Sequence, residues 1–235
     1  MRATDYKTIK QASDYYHKRF AEGKKLVNMD ETLLINKWFA ACKLNRNTVG
    51  IDLGTGTGRV IHELLHRSPK TIYAVDNSPS MLSYLNKLYR NKILKNQIKP
   101  LLTSSDKLPL SPGSVDLATS LHLFKHLKDI NPTLKEVNRI LKPKGYFIFE
   151  FLNRHSLIGL RLGSCYTLDK SDVIHKLNNY GFKVIDDAYL HLFGETIYNV
   201  FGSGFAVFIH TLDKMFGKIF GIYSTKIFIL SQKYE

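Results

Sequence analysis

The chain has 235 residues, 44% of them hydrophobic and 23% charged, which excludes a disordered or low-complexity protein. Its two cysteines, Cys42 and Cys165, can build neither a disulfide framework nor a Cys-rich zinc site, so no metal is expected and a cytoplasmic setting fits. The formal net charge of +14 leaves an anionic partner open without naming one.

The first fourteen residues carry Arg2, Asp5, Lys7 and Lys10 and no apolar core, so no secretory leader is expected. Residues 5–44 read as helical, with Leu33, Leu34, Trp38 and Phe39 at helical spacing. The period then changes. Residues 49–53 are a short buried-strand signal, followed by glycines and a helical run over 59–66. A second strand at 71–75 ends at Asp76, and Pro79 opens the next helix in its first turn. Strands are predicted at 98–103, 115–121 and 146–151, with a helix over 132–141 stopped by Pro143 and Gly145. Asp169 and Ser171 offer N-cap chemistry before a helix running to Tyr180, closed by Gly181. Residues 182–192 and 225–233 read as strands, and the aromatic stretch 195–223 between them as two amphipathic helical pieces. A hydrophobic stretch over 196–212 is too short and too polar to span a bilayer. Strands alternating with helices predict an α/β chain with a parallel sheet covered on both faces. With no repeat or linker, a single domain is expected: a helical cap over 1–44, a core over 45–152 and a closing segment over 153–235.

The positive excess lies in the first two thirds. Its densest run is Lys87, Arg90, Lys92, Lys95 and Lys99, without an acid among them. Such a run suits RNA, anionic lipid or an acidic substrate, and equally a solvated helix face.

The run Asp52-Leu53-Gly54-Thr55-Gly56-Thr57-Gly58 sits where a strand gives way to a helix. Glycines there let the backbone turn tightly and approach a ligand, with helix N–H groups aimed at it. Asp76 stands about one βαβ unit further on, placed to bind ribose hydroxyls. NAD would suit this pattern too. However, a dinucleotide fingerprint spaces its third glycine by two residues, not one, and a carboxylate at Asp52 favours a ligand with a cationic amino-acid end over a pyrophosphate.

These residues resemble the first motif of the class I S-adenosylmethionine-dependent methyltransferases. Ala74-Val75-Asp76-Asn77-Ser78-Pro79-Ser80-Met81-Leu82 resembles the second motif. Leu108-Pro109-Leu110 through Val115-Asp116 and Glu136-Val137-Asn138-Arg139-Ile140-Leu141-Lys142-Pro143 resemble later ones, in the family's order. The distribution is closest to the ubiquinone/menaquinone-biosynthesis and related small-molecule enzymes. The resemblance implies a Rossmann-like seven-stranded sheet of order 3-2-1-4-5-7-6 with the last strand antiparallel. It implies S-adenosyl-L-methionine as cofactor and S-adenosyl-L-homocysteine as product. Asp52, Gly54 and Gly56 would hold the methionine end, Asp76 the ribose, Asn77 and Met81 the adenine, and Ser120 would face the methionine moiety. An N-terminal tyrosine, Tyr16 or Tyr15, would close the pocket. Two positions depart from the pattern. Ser104 stands where an aspartate is usual near the adenine amino group, leaving Asp106 or the Ser105 backbone to serve. Lys144 replaces the first glycine of a Pro-Gly-Gly turn, with a structural consequence only.

His122 and His126 follow the fourth strand, at the end where such sheets bind ligands, and His122 is the candidate general base. The motifs of base-amine and cytosine methylation are missing, since Thr119-Ser120-Leu121-His122 occupies the first place and neither cysteine follows a proline. The expected acceptor is therefore a small molecule or lipid precursor, apolar or anionic, with the aromatics of 195–223 as its cover. RNA or protein methylation is the first alternative and a non-catalytic binding protein the second. Peripheral membrane contact is compatible with the charge.

Overall fold

A computed structural model describes residues 6–18, 22–156, 165–193 and 203–235. Two helices, α1 (Ile9–Lys18) and α2 (Glu22–Ala41), precede β1 (Val49–Leu53). The chain then alternates through α3 (Arg59–Leu65), β2 (Thr71–Asp76), α4 (Pro79–Leu88), α5 (Arg90–Leu94), β3 (Ile98–Leu102), β4 (Val115–Ser120), α6 (Asn131–Ile140) and β5 (Leu141–Asn153). It closes with β6 (Thr167–Leu168), α7 (Lys170–Asn179), β7 (Phe182–Leu190), α8 (Ser203–Phe220) and β8 (Lys226–Lys233).

The sheet order is β3-β2-β1-β4-β5-β8-β7, with β8 antiparallel to both neighbours. This is the expected seven-strand path. The two-residue β6, which pairs with the end of β5, is an eighth strand beyond it. Local chemistry sets the helix starts. Ser78 accepts from the Met81 N–H at the head of α4, and Asp169 accepts from the Ser171 and Asp172 N–H groups at the head of α7.

Strand alternation divides the core between the two faces. One face buries Ile51, Leu53, Val75, Phe147 and Phe149 against Leu134 and Val137 of α6 and Val173 and Leu177 of α7. The other buries Ile72, Ala74, Leu117, Ile148 and Phe228 against Ile35, Trp38 and Phe39 of α2 and Val60, Ile61 and Leu64 of α3. Phe147 and Phe149 stack at 4.6 Å between ring centroids. Helix α2 is thus part of the core, and α1 packs on α4 through Ala12, Met81 and Tyr84. Leu33, expected on the apolar face of α2, is exposed.

Among the described residues, the segment expected as two helical pieces holds α8 followed by a 3-10 turn at Gly221–Tyr223. Tyr198 and Phe201 lie outside the described residues. Phe208, Phe220 and Tyr223 are exposed instead of forming a wall.

An irregularity within β5, where its register against β4 shifts between Leu141 and Tyr146, surrounds the Lys144 departure. A Cβ on Gly145 would come within 2.9 Å of the Lys142 carbonyl oxygen, so glycine is required there. Lys144 itself holds φ at 62°, a left-handed conformation costly for a side chain. Lys144→Gly is expected to raise the unfolding free energy by about 0.5–1 kcal/mol, the relief of strain exceeding the added chain entropy. Denaturant titration checks the sign.

Candidate active site

At the end of β1 the chain turns through Gly54, Gly56 and Gly58 with φ of 67°, 54° and 83°. A Cβ on Gly56 would meet nothing within 4 Å, so the middle of the loop faces open space. Gly54 lies against Leu123 of the loop after β4, whose Cβ would be 3.0 Å from an added one. Asp76 ties the loop to β2. Its Oδ2 accepts from the Gly56 N–H at 2.8 Å and its Oδ1 from the Ser78 N–H at 2.9 Å. Burial pushes its carboxyl up against the pull of those N–H groups. Asp52 is more enclosed and accepts from the Thr119 hydroxyl at 2.8 Å. Burial pushes the Asp52 carboxyl up to about 7, with neighbouring hydroxyls holding it back. The Thr57 hydroxyl is buried without a hydrogen-bond partner among the described residues. Two buried carboxylates flanking an open glycine turn and an unsatisfied hydroxyl fit a ligand with a cationic end and a diol.

The other predicted residues divide. Met81 and half-buried Tyr16 belong to the α1–α4 contact, where the Tyr16 ring lies 5.6 Å from that of Tyr84. The N-terminal segment reaches the same corner, since the Tyr6 carbonyl accepts from the Ser78 and Ser80 hydroxyls. Asn77 is exposed beside it. Ser104 and Asp106 are both exposed, and the Ser104 hydroxyl donates to the Asp106 carboxylate. The Ser105 hydroxyl bonds Thr133 of α6 at 2.8 Å. The Ser120 hydroxyl is buried and donates to the Leu53 carbonyl at 3.3 Å, so β4 and β1 are joined there.

His122 sits in a network that sequence reasoning missed. Glu31 of α2 is completely buried and gathers three partners. Its Oε2 lies 2.5 Å from Arg59 Nη2 and 3.3 Å from His122 Nε2, and its Oε1 is 2.6 Å from Lys226 Nζ. Burial alone would push the Glu31 carboxyl up. Lys226 and Arg59 outweigh that and hold it well below the usual carboxylate range. Arg59 Nη1 also reaches His122 Nε2 at 3.0 Å. His122 has φ of 66°, and its backbone N–H donates to Glu150 Oε1 at 2.6 Å. Burial and Lys226 hold the His122 imidazole in its neutral form, and burial with Lys125 drops His126 to about 4. A neighbouring set fastens α8: His210 meets Asp30 at 2.6 Å, and Asp213 accepts from the Leu192 N–H at 2.6 Å. A lone acid inside the apolar strand run of β5 was the available signal for Glu150. Glu31 gave none, because its partners are remote in sequence.

Residues 51–149 match the methyltransferase domain family. The chain is 28% identical over 147 residues to the malonyl-[acyl-carrier protein] O-methyltransferase of Marinomonas sp. (strain MWYL1), covering 62% of this chain and 53% of that protein. It is 32% identical over 151 residues to the ubiquinone/menaquinone biosynthesis C-methyltransferase UbiE of Bartonella quintana (strain Toulouse), covering 60% and 54%. The chain thus spans about half the length of these curated relatives. The same fold occurs in a complex of the Haloferax volcanii Trm112 methyltransferase activator with a methyltransferase: TM-score 0.65, 17% identity, 99% of this chain and 96% of that one. Over residues 51–149 the chain is thus similar to the methyltransferase domain family, and its fold is shared with the solved complex.

Removing the Glu31 side chain takes away the carboxylate that neutralises Arg59 and buried Lys226. Glu31→Ala is expected to cost about 3–5 kcal/mol of unfolding free energy in a urea titration. Because the folded state depresses this carboxyl, its contribution is present above the ordinary carboxylate pKa and fades as pH falls below it. The difference between wild type and Glu31→Gln should therefore narrow on acidification.

Proposed function

We propose that this protein, acting as one cytoplasmic unit, transfers a methyl group from S-adenosyl-L-methionine to a small-molecule or lipid-precursor acceptor. The observation that carries this reading is the pair of buried carboxylates, Asp52 and Asp76, on either side of the open loop at 54–58. Asp52 with Gly54 and Gly56 would hold the methionine end and Asp76 the ribose. Asn77, Met81 and Tyr16 would border the adenine, with the Ser104–Asp106 pair and the Ser105 backbone beside it, and Ser120 would carry the floor under the methionine. The cofactor supplies a methyl group already activated on a sulfonium, so positioning does most of the work. His122 is the candidate base. Its imidazole is neutral, as a base requires, but Nε2 takes up a proton only when the Arg59 bond breaks.

Calorimetry with S-adenosylmethionine, S-adenosylhomocysteine and NAD tests the cofactor. Micromolar binding of the first two is expected, at about −7 to −8 kcal/mol, and tighter binding of NAD would overturn the reading. Asp52 must lose its proton to pair with the cofactor's ammonium, and its carboxyl titrates at about 7. Affinity should therefore fall toward tenfold per pH unit below that value and level off above it. Asp52→Asn should bind weakly at every pH.

The acceptor class has support from the relatives, which by name methylate a malonyl group on a carrier protein and precursors of ubiquinone and menaquinone. The shape of α8 agrees. Phe208, Met215 and Ile219 are exposed on the arc opposite the buried His210 and Asp213, Ile219 to 72%, and Val207 is exposed beside them. Ile222 and Tyr223 continue this patch, and Leu33 and Met29 of α2 are exposed as well. Asp213 turns inward, and Asp30 does so while pairing at 3.0 Å with Lys214, whose side chain stays 56% exposed. Apolar side chains flanked by outward lysine suit the headgroup layer of an anionic bilayer. No helix among the described residues is long and apolar enough to cross one. The protein should co-sediment with phosphatidylcholine vesicles containing phosphatidylglycerol, less so at high salt, and Phe208→Glu with Ile219→Glu should remove binding. A dimer broken by the same changes, without vesicle binding, would show that a second copy covers α8. The exposed run from Lys87 to Lys99 favours a second reading, methylation of RNA. Turnover on RNA that survives both α8 substitutions would establish it.

A further inference from the structure

The acceptor end of the sheet holds one buried charge that the surrounding protein leaves incomplete. Glu150 is 1% exposed, and its Oε1 accepts a single neutral donor, the His122 N–H. Its Oε2 is buried with no hydrogen-bond partner among the described residues. The nearby cations are engaged elsewhere, since Arg59 and Lys226 both lie on Glu31 at 2.5 and 2.6 Å. His122 offers no charge either. Arg59 Nη1 can only donate, so His122 Nε2 accepts from it, and the ring carries its one proton on Nδ1. A buried carboxylate oxygen without a partner is costly, and a ligand that brings a cation recovers that cost.

The position of Glu150 limits which cation this can be. On β5 it lies two residues beyond Ile148 and so shares its face, the α2 and α3 side of the sheet that also carries Asp52 and Thr119. The backbone that Glu150 holds, at His122, leads directly to Leu123, and Leu123 packs against Gly54 of the glycine loop. The incomplete oxygen therefore stands across β4 from Asp52, beside the crevice at the carboxyl ends of β1 and β4 where such sheets bind ligands.

We propose that Glu150 is the counter-charge for the sulfonium of bound S-adenosylmethionine, so that the site distinguishes the charged methyl donor from its neutral thioether product. This rests on the cofactor reading above. With the donor bound, Glu150 Oε2 gains a cationic partner. Once the methyl group has left, the thioether offers none, and the product is held only by what both ligands share: Asp52, Asp76 and the glycine loop. Exchange of product for fresh donor is then favoured by charge alone.

The test is titration of the full chain with three ligands: S-adenosylmethionine, S-adenosylhomocysteine, and sinefungin, which carries an ammonium in place of the methylsulfonium. Glu150→Gln keeps the shape and the acceptor for the His122 N–H but removes the charge. It should weaken S-adenosylmethionine and sinefungin about tenfold relative to S-adenosylhomocysteine. Glu150→Asp keeps the charge and withdraws it. It should give a smaller loss of the same kind, and it decides the matter if the glutamine variant does not fold. Equal weakening of all three ligands, or no change in their ratio in a folded variant, overturns the proposal while leaving the cofactor reading intact. A wild-type protein that binds none of the three removes that reading and the proposal with it.

Discussion

The buried carboxylate of Glu31 is the interaction on which the upper half of the molecule depends. One side chain from α2 meets the start of α3 through Arg59, the loop after β4 through His122 and the start of β8 through Lys226. Lys226 is itself buried, and Arg59 and His122 are half-buried, so the polar groups are unfavourable without one another. None can be removed singly without leaving another uncompensated. The arrangement therefore defines where α2 sits over the sheet more sharply than apolar contact could, because Ile35, Trp38 and Phe39 would tolerate small slides and the charges would not.

The glycine loop works on a different principle. Asp52 and Asp76 are held away from water with hydroxyl and N–H partners but no complete cationic partner, and burial raises the proton affinity of both. A site of this kind is unfavourable to the folded chain by itself and is completed by what binds there. Glu31 gains stability from charge that is fully matched. The carboxylates around the glycine loop and Glu150 hold charge that is not.

Much of the fold was legible in the sequence because its signals are local. The strand–glycine–helix transition at 49–59, the proline and serine heading α4 and the apolar run of β5 each declare themselves within a few residues. Element ends shifted by a residue or so, and β5 proved longer than 146–151, since the chain extends directly from α6. Asp52 and Asp76 were legible for the same reason. The Glu31–Lys226 contact was not: its partners are 195 residues apart, and each looks like an ordinary surface charge within its own segment. Nor does an aromatic-rich segment reveal which way its rings point. Phe208 and Phe220 could serve a core or a surface, and only the turning of Asp213 and His210 inward decides it. The bond of the Ser105 hydroxyl to Thr133 of α6 is likewise a contact between segments far apart in sequence.

The place of β8 has a consequence for how the chain is made. This strand lies between β5 and β7, yet it is synthesised after both. Until it emerges from the ribosome, β7 has no strand to pair with and one edge of β5 is open. Lys226 arrives with the same strand, so Glu31 waits with an incomplete set of partners until the chain has grown by a further 195 residues. The nascent chain can collapse around β1 to β5 early, but the helical cap can settle only when β8 slides between its neighbours. Translation pauses or premature release ahead of β8 would therefore leave two unpaired strand edges exposed, a species for chaperones to hold.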